Sequence, residues 1–261
     1  MVSFTRWAMR AVDFPELDPR FGVIRVVFEQ GPVDEMLERF SATTPIPVEM
    51  RAAGAKRKAE FLAGRTAAAM ALSRCGCATP YAVGRKADGS PSWPRGFIGS
   101  ITHGAGIVGA AVAPQATCEG LGIDAESVIS RSAEGEVAPS VLTASELASA
   151  RAGLPDLTSP SLVTLAFSAK ESLYKCLHPI VGEFFEFRDV ELASVRADPP
   201  TGDRSTRPPA DAVRSGEFRL VLRRPLGARF GAGWAIVGRF AFEGDRVKTA
   251  LSLTRPHALV C

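Results

Sequence analysis

Apolar and polar residues follow one another along the chain in patterns typical of both helices and strands. The run Val23–Phe28 is rich in β-branched residues and predicts a strand. Arg57–Leu72 is rich in alanine, contains no proline and carries apolar residues at helical spacing, which predicts a helix. The apolar runs Phe97–Ile101 and Ile107–Ala113 predict two short strands that flank Thr102, His103 and a Gly-Ala-Gly turn.

The second part of the chain has a similar order of elements. A strand is predicted at Gly120–Glu126, and helices are predicted at 139–153 and Ser161–Leu177. Thr143 and Glu146 have the spacing of a capping box near the start of the first of these helices. Three further strands, the last two joined by a hairpin turn, are predicted at Phe218–Leu222, Gly233–Phe242 and Val247–Leu253.

A helix followed by strands occurs twice, which predicts an α+β protein with two halves of similar size. We place the subdomain boundary so that residues 1–117 form the N-terminal half and residues 118–261 the C-terminal half. Two turn-rich or proline-rich segments, Gly84–Pro94 and Asp198–Asp211, predict exposed loops.

The composition of the chain limits the functional classes to which the protein can belong. The chain has 261 residues, 46% of them hydrophobic, and can bury a sizeable core. Its formal charge of +3 suits an acidic ligand or partner, but the scattered basic residues do not predict nucleic-acid binding. Five cysteines without the spacing of a zinc site predict reduced thiols. We see neither a leader-like N-terminus nor an apolar run of about 18 residues, and expect a cytoplasmic protein without a membrane partner.

Two carboxylates share one face of the predicted strand Gly120–Glu126. Side chains alternate between the faces of a strand, so Gly122, Asp124 and Glu126 lie together. Neighbouring carboxylates repel each other unless they are solvated or a cation lies between them, and Mg²⁺ is bound in this way by one or two carboxylates. A solvated outer face of a sheet remains the alternative.

The predicted helix Ser161–Leu177 carries charges within an apolar sequence. Phe167, Glu171 and Lys175 are four residues apart and form one stripe, with Lys170 at its margin. A glutamate and a lysine at this spacing are often only a surface ion pair. Their position among apolar residues equally indicates a functional site.

Two further segments could bind phosphate. Thr102 and His103 lie between strand-like runs, and Arg57 and Arg65 lie about 80° apart around the axis of the first predicted helix. A guanidinium group matches the geometry of a phosphate. A structural histidine and a solvated helix face are the alternative interpretations.

Taken together and in order, these segments resemble the 4′-phosphopantetheinyl transferases of the surfactin-synthetase-activating and enterobactin-synthase-component-D type. The resemblance covers roughly residues 50–255. Its motifs are Gly122-Ile123-Asp124-Ala125-Glu126, the helix segment Phe167–Lys175, the box Ser100-Ile101-Thr102-His103, the helix residues Arg57, Glu60, Phe61 and Arg65, and the element Pro91–Pro94. Phe167 stands where many relatives have tryptophan.

The resemblance implies two similar α+β halves related by a pseudo-twofold axis, with coenzyme A in the cleft between them. It implies a monomer that acts on apo acyl, peptidyl or aryl carrier proteins with Mg²⁺. The implied metal ligands are Asp124, Glu126 and Glu171, and the implied catalytic residues are Glu171 and Lys175. The implied coenzyme A contacts are Arg57, Arg65, Arg85, Lys86, Thr102, His103, Lys170 and Lys175.

Three other functional classes remain open from the sequence. A magnesium-dependent hydrolase of nucleotides or pyrophosphates would use the same carboxylates without a carrier surface. A non-catalytic protein would bind coenzyme A or a carrier protein without transferring a group. A structural or nucleic-acid-binding module is supported only by the pI of about 8.7.

Overall fold

The computed structural model describes residues 12–17, 23–41, 44–79, 82–199 and 214–255. Within these ranges the elements are β1 (Ile24–Glu29), α1 (Val33–Ser41), α2 (Ala55–Arg74), β2 (Gly84–Arg85), β3 (Pro91–Ser92), β4 (Phe97–Gly104), β5 (Ile107–Pro114), β6 (Cys118–Ser127), α3 (Arg131–Val141), α4 (Ala144–Gly153), α5 (Ser159–Val181), β7 (Val190–Ala197), β8 (Arg214–Leu222), β9 (Ala235–Glu243) and β10 (Arg246–Thr254).

In the N-terminal half, α2 packs on a three-stranded antiparallel sheet of order β1-β5-β4. The buried face of α2 is rich in alanine, and Ala63, Ala67 and Ala71 are fully buried. Small side chains let the helix approach the sheet closely. A short hairpin, β2–β3, turns at Gly89, whose φ of +87° favours glycine.

In the C-terminal half, α5 packs on a five-stranded antiparallel sheet of order β6-β10-β9-β8-β7. Leu165, Ala169 and Leu173 of α5 join Phe218 and Phe240 of the sheet in a common core. The helix begins after the N-cap Thr158 and ends at Gly182, which has a left-handed φ of 68°.

A third group of buried apolar residues joins the two halves. It includes Val27 and Ile107 from the N-terminal sheet, Ile123 and Ala250 from the C-terminal sheet, and Phe14 from the segment 12–17. The backbone N–H of Ile123 donates to Ser100 Oγ of β4 at 3.1 Å. The facing edges of the halves therefore share one core, which fixes the position of one half relative to the other.

The structure confirms the α+β class and the predicted positions of the long helices and the main strands. The prediction of a single helix at 139–153 was wrong. Thr143 caps the start of α4 and separates this helix from α3. Thr102 and His103 lie inside β4 rather than after it. Helix α1 and strand β7 were not predicted.

The structure bears differently on the two segments that were predicted to be loops. The segment Gly84–Pro94 contains the short strands of the β2–β3 hairpin and is not irregular throughout. Most of the predicted loop Asp198–Asp211 lies outside the described residues. In the part of the chain that is described, no helix is long and apolar enough to cross a membrane.

Candidate active site

Strand β6 presents its two carboxylates toward α5, as its alternating pattern predicted. Leu121, Ile123 and Ala125 are buried in the core that joins the halves. Asp124 and Glu126 lie on the opposite face, where Lys175 of α5 contacts Asp124.

Helix α5 approaches β6 unusually closely because position 122 is glycine. A Cβ atom at Gly122 would lie 1.8 Å from the backbone oxygen of Ser172. Buried hydroxyl groups hold the same helix to the neighbouring strand β10: Thr249 Oγ1 lies 2.8 Å from Ser168 Oγ and 2.7 Å from Ser172 Oγ. These contacts bring the charged side chains of α5 within reach of the carboxylates of β6.

Asp124 lies at the centre of the site and is buried, with 3% of its surface exposed. Its Oδ1 accepts from Lys175 Nζ at 2.6 Å and from Thr102 Oγ1 at 3.4 Å. Its Oδ2 is buried and has no hydrogen-bond partner among the residues that the structure describes. A buried carboxylate oxygen of this kind requires a donor or a cation.

Glu126 and Glu171 lie close enough to Asp124 for their charges to interact. Burial, followed by the charges of Asp124 and Glu171, raises the pKa of Glu126 to about 7, although Lys175 opposes the shift. Burial also raises the pKa of Glu171, with a further contribution from Asp124. A bound cation would relieve this repulsion, since it favours the charged form of every carboxylate.

The carboxylates are not already arranged as a metal site. Among the residues that the structure describes, no three His, Cys, Asp or Glu side chains form a ready cluster. Lys175 instead supplies the positive charge at Asp124. The free oxygen of Asp124 and the repulsion at Glu126 nevertheless fit a hard divalent cation, which prefers carboxylate oxygens.

A basic group on α2 and β4 lies beside these carboxylates, and we refer to the two groups together as the charged cleft. Arg57 Nη1 donates to His103 Nε2 at 3.2 Å. Because guanidinium can only donate, His103 accepts and is neutral, with its proton on Nδ1. Loss of hydration, together with the cations Arg57 and Lys175, lowers the pKa of His103 despite the opposing charge of Glu60. The charge of Lys175 acts on His103, so the basic group and the carboxylates lie close together.

Arg65 is buried, with 7% of its surface exposed, and within the described part of the chain its Nε has no hydrogen-bond partner. Its guanidinium lies 4.8 Å from the ring centroid of Phe61, one helical turn earlier. Burial and the nearby cation of Arg85 lower the pKa of Arg65 to about 10. Two arginines that approach each other without a counter-charge favour an anion between them. Lys86 is exposed beside Arg85 in the β2–β3 hairpin.

Lys170 lies apart from this group. Its ammonium is buried and donates to Glu146 Oε1 and to the backbone oxygens of Val141 and Phe187. All three N–H donors are therefore used within the protein. This arrangement does not fit the predicted contact between Lys170 and the phosphates of a ligand.

A cavity of about 490 Å³ lies next to Glu171 and was not predicted. Its walls combine charged residues with four aromatic side chains, Tyr174, Phe184, Phe185 and Phe187. The sequence carried a signal for it, because three phenylalanines occur within residues 184–187, shortly after the helix-ending Gly182. The cavity gives the charged cleft an apolar extension that suits an elongated ligand.

Two family models match the chain on either side of the junction. One, described as the 4′-phosphopantetheinyl transferase N-terminal domain, matches residues 47–113. The other, described as the 4′-phosphopantetheinyl transferase superfamily, matches residues 120–228. The second range contains every carboxylate of the site, and the first contains Arg57, Arg65 and His103.

Curated relatives match over different lengths. Enterobactin synthase component D of Salmonella typhimurium is 44% identical over 126 residues, which are 48% of this chain and 50% of the relative. The chain thus spans about half the length of that relative. The 4′-phosphopantetheinyl transferase Svp of Streptomyces mobaraensis is 36% identical over 77% of this chain and 74% of its own. The 4′-phosphopantetheinyl transferase PptT of Mycobacterium tuberculosis is 35% identical over 64% of this chain and 72% of its own length.

Proposed function

Since this chain belongs to the 4′-phosphopantetheinyl transferase superfamily, we propose that it transfers 4′-phosphopantetheine from coenzyme A to a serine of an apo acyl, peptidyl or aryl carrier protein. The products are the modified carrier and 3′,5′-ADP. The observation that carries this proposal is the meeting of Asp124, Glu126, Glu171 and Lys175 with the basic group of the N-terminal half in one cleft.

The reaction exchanges a phosphoanhydride bond of coenzyme A for a phosphoester bond on the carrier protein. The serine Oγ attacks the β-phosphorus of coenzyme A, a new P–O bond forms, and the bond to the departing 3′,5′-ADP breaks. The serine proton passes to a carboxylate, and we assign this role to Glu171 because it lies beside Asp124 and Lys175. Lys175, 2.6 Å from Asp124, places a positive charge where the phosphates would lie.

Asp124, Glu126 and Glu171 are the residues that would hold Mg²⁺. When bound there, the ion would neutralise negative charge on the pyrophosphate. The buried, unpartnered Oδ2 of Asp124 supports this assignment. Lys170 is left out of the proposed site because its donors are used elsewhere.

The basic group would bind the nucleotide end of coenzyme A. We assign Arg57, His103 and Arg65 to the 3′-phosphate and its surroundings, with Arg85 or Lys86 near the adenine and Thr102 between the two ends of the site. The unpartnered Nε of Arg65 and its approach to Arg85 support this assignment. The division at residues 117 and 118 then places the nucleotide contacts in one subdomain and the carboxylates in the other.

The proposal is tested by intact-protein mass spectrometry of an apo carrier protein incubated with this protein, coenzyme A and Mg²⁺. We expect a gain of the mass of one phosphopantetheine, lost when a chelator is added. Release of 3′,5′-ADP without a carrier protein would instead indicate a hydrolase. Binding of coenzyme A with no mass gain on several unrelated carriers would indicate a non-catalytic binding protein.

Asp124→Asn and Glu171→Gln provide a sharper test of the site. Each keeps the shape of the side chain but removes its charge, and we expect kcat to fall on the order of 100- to 1,000-fold. The matched control is Asp156→Asn, because Asp156 is 79% exposed and pairs only loosely with Arg214 at 3.8 Å. Wild-type turnover in either site variant would contradict the assigned roles.

A further inference from the structure

An ion pair is buried directly behind the candidate active site. Lys170 Nζ lies 2.7 Å from Glu146 Oε1, and the two side chains are 1% and 2% exposed. Glu146 lies in α4 and Lys170 in α5, 24 residues apart in the sequence. The pair includes Lys170, a predicted ligand-binding residue whose three N–H donors are used within the protein.

The pair ties α5 to four other segments. Lys170 also donates to the backbone oxygens of Val141, at the end of α3, and Phe187, in the turn before β7, at 2.7 and 3.0 Å. Glu146 Oε1 accepts from the N–H of Leu192 in β7 at 2.8 Å. Its Oε2 accepts from the N–H and hydroxyl of Thr143, the N-cap of α4, at 2.7 and 2.9 Å.

These bonds reach the walls of the site. Lys170 precedes Glu171 in α5, and both residues line the aromatic cavity. Phe187, whose backbone oxygen accepts from Lys170, lines the same cavity and packs against Phe167 with ring centroids 5.2 Å apart. The ion pair therefore joins the helix that carries Glu171 to the opposite wall of the cavity.

Stability alone does not account for two buried charges. A well-packed apolar pair of similar volume is often as stable as a buried ion pair, or more stable. An apolar pair cannot, however, hold two backbone oxygens and two backbone N–H groups at set distances. The charged pair supplies six directed contacts, and these define the spacing between α5 and the Phe187 segment.

We propose that Glu146 is a positioning residue that acts through Lys170 to hold Glu171 and the Phe187 wall of the cavity at the separation needed for transfer. Neither residue is assigned a contact with the phosphates of the substrate, because all three N–H donors of Lys170 are used within the protein. The inference rests on the proposed function for its catalytic consequence, but the fixing of the wall can be measured without turnover.

Three variants separate positioning from stability. Glu146→Gln and Lys170→Met each remove one charge, and the double variant with Glu146→Leu and Lys170→Met replaces the pair by apolar side chains. We expect each single variant to lower kcat on the order of 10- to 100-fold, with the KM for coenzyme A within about twofold. The double variant should regain the Tm of the wild type while kcat stays low. Recovery of kcat together with Tm would overturn the proposal, because it would show a purely structural role.

Hydrogen exchange gives a readout that does not depend on the reaction. Peptides covering 183–192 should exchange at least about tenfold faster in the Glu146→Gln variant, while those of α2 stay unchanged, because the bonds to Phe187 and Leu192 are weakened. Unchanged exchange in 183–192 would overturn the proposal even if the wild type proved inactive. The matched control is Glu217→Gln, since Glu217 pairs with Arg196 at 2.8 Å on the exposed surface of the sheet.

Discussion

His103 and Arg57 form a neutral–cationic pair that is prepared to bind an anion. In the free protein, Arg57 donates to His103 and the pKa of the imidazole is lowered. A phosphate placed between them would accept from both groups and would favour the protonated imidazole. Coenzyme A binding should therefore raise the pKa of His103.

The corresponding prediction is that coenzyme A binding takes up protons through His103. Near pH 7 the imidazole is neutral in the free protein, and ligand binding should add part of one proton, more as the pH falls toward 6.5. Calorimetric titration in buffers of different ionisation enthalpy measures this uptake. His103→Gln should abolish the difference and weaken binding about tenfold near pH 6. Equal proton uptake in both proteins would show that His103 does not contact the phosphate.

Lys170 shows what could not be predicted for single side chains. Helical spacing placed it correctly at the margin of the stripe formed by Phe167, Glu171 and Lys175. The spacing could not show that a carboxylate 24 residues earlier would take its charge, because that contact depends on the packing of α4 against α5. The carboxylates of β6 were predictable, since the alternation along a strand fixes their face without tertiary information.

At the scale of elements, the close approach of α5 to β6 depends on the absence of a side chain at Gly122. Gly122→Ala would place Cβ 1.8 Å from the backbone oxygen of Ser172, which cannot yield without moving the helix. We expect a loss of about 3 kcal/mol or more in the free energy of unfolding, measured by denaturant titration, and a loss of transfer activity.

The matched control is Gly135→Ala in α3. Nothing lies within 4 Å of a Cβ atom at Gly135, and the residue is exposed within the helix. Alanine there should stabilise the protein by about 0.5–1 kcal/mol. Equal effects at the two glycines would show that α5 and β6 can separate without consequence.

The elements themselves were predictable where their patterns were strong. The alanine-rich α2 and the long α5 were found because both carry apolar residues over several turns. The break between α3 and α4 was missed, although the capping signal at Thr143 was recognised, because the apolar positions continue across it. Strand β7 was missed because its exposed and charged residues weaken the alternation.

For the whole molecule, the apolar core between the halves predicts that they unfold together. Leu121, Ile123 and Ala125 are at most 2% exposed and pack against residues of the N-terminal half. A fragment of residues 118–261 would expose them, so we expect it not to fold alone. Scanning calorimetry of the full chain should show one transition with equal calorimetric and van't Hoff enthalpies. Two separate transitions would contradict this prediction.

The pairing of the two halves could be predicted only in outline. The repeated order of a helix and strands indicated two α+β units, but the sheets differ, with three strands in one and five in the other. The shared core depends on contacts between distant segments, such as Phe14 with the residues of β6. No periodic pattern in the sequence reports such contacts.

The shared core also has a consequence for how the ligand binds and leaves. Lys248 Nζ, bonded to the backbone oxygen of Asp13 at 2.6 Å, adds a polar link between β10 and the segment 12–17. Because this link and the shared core hold the two halves together, we expect them to move as one rigid body. Coenzyme A should then bind without hinge closure, and its residence time should depend on the contacts that it makes rather than on domain opening.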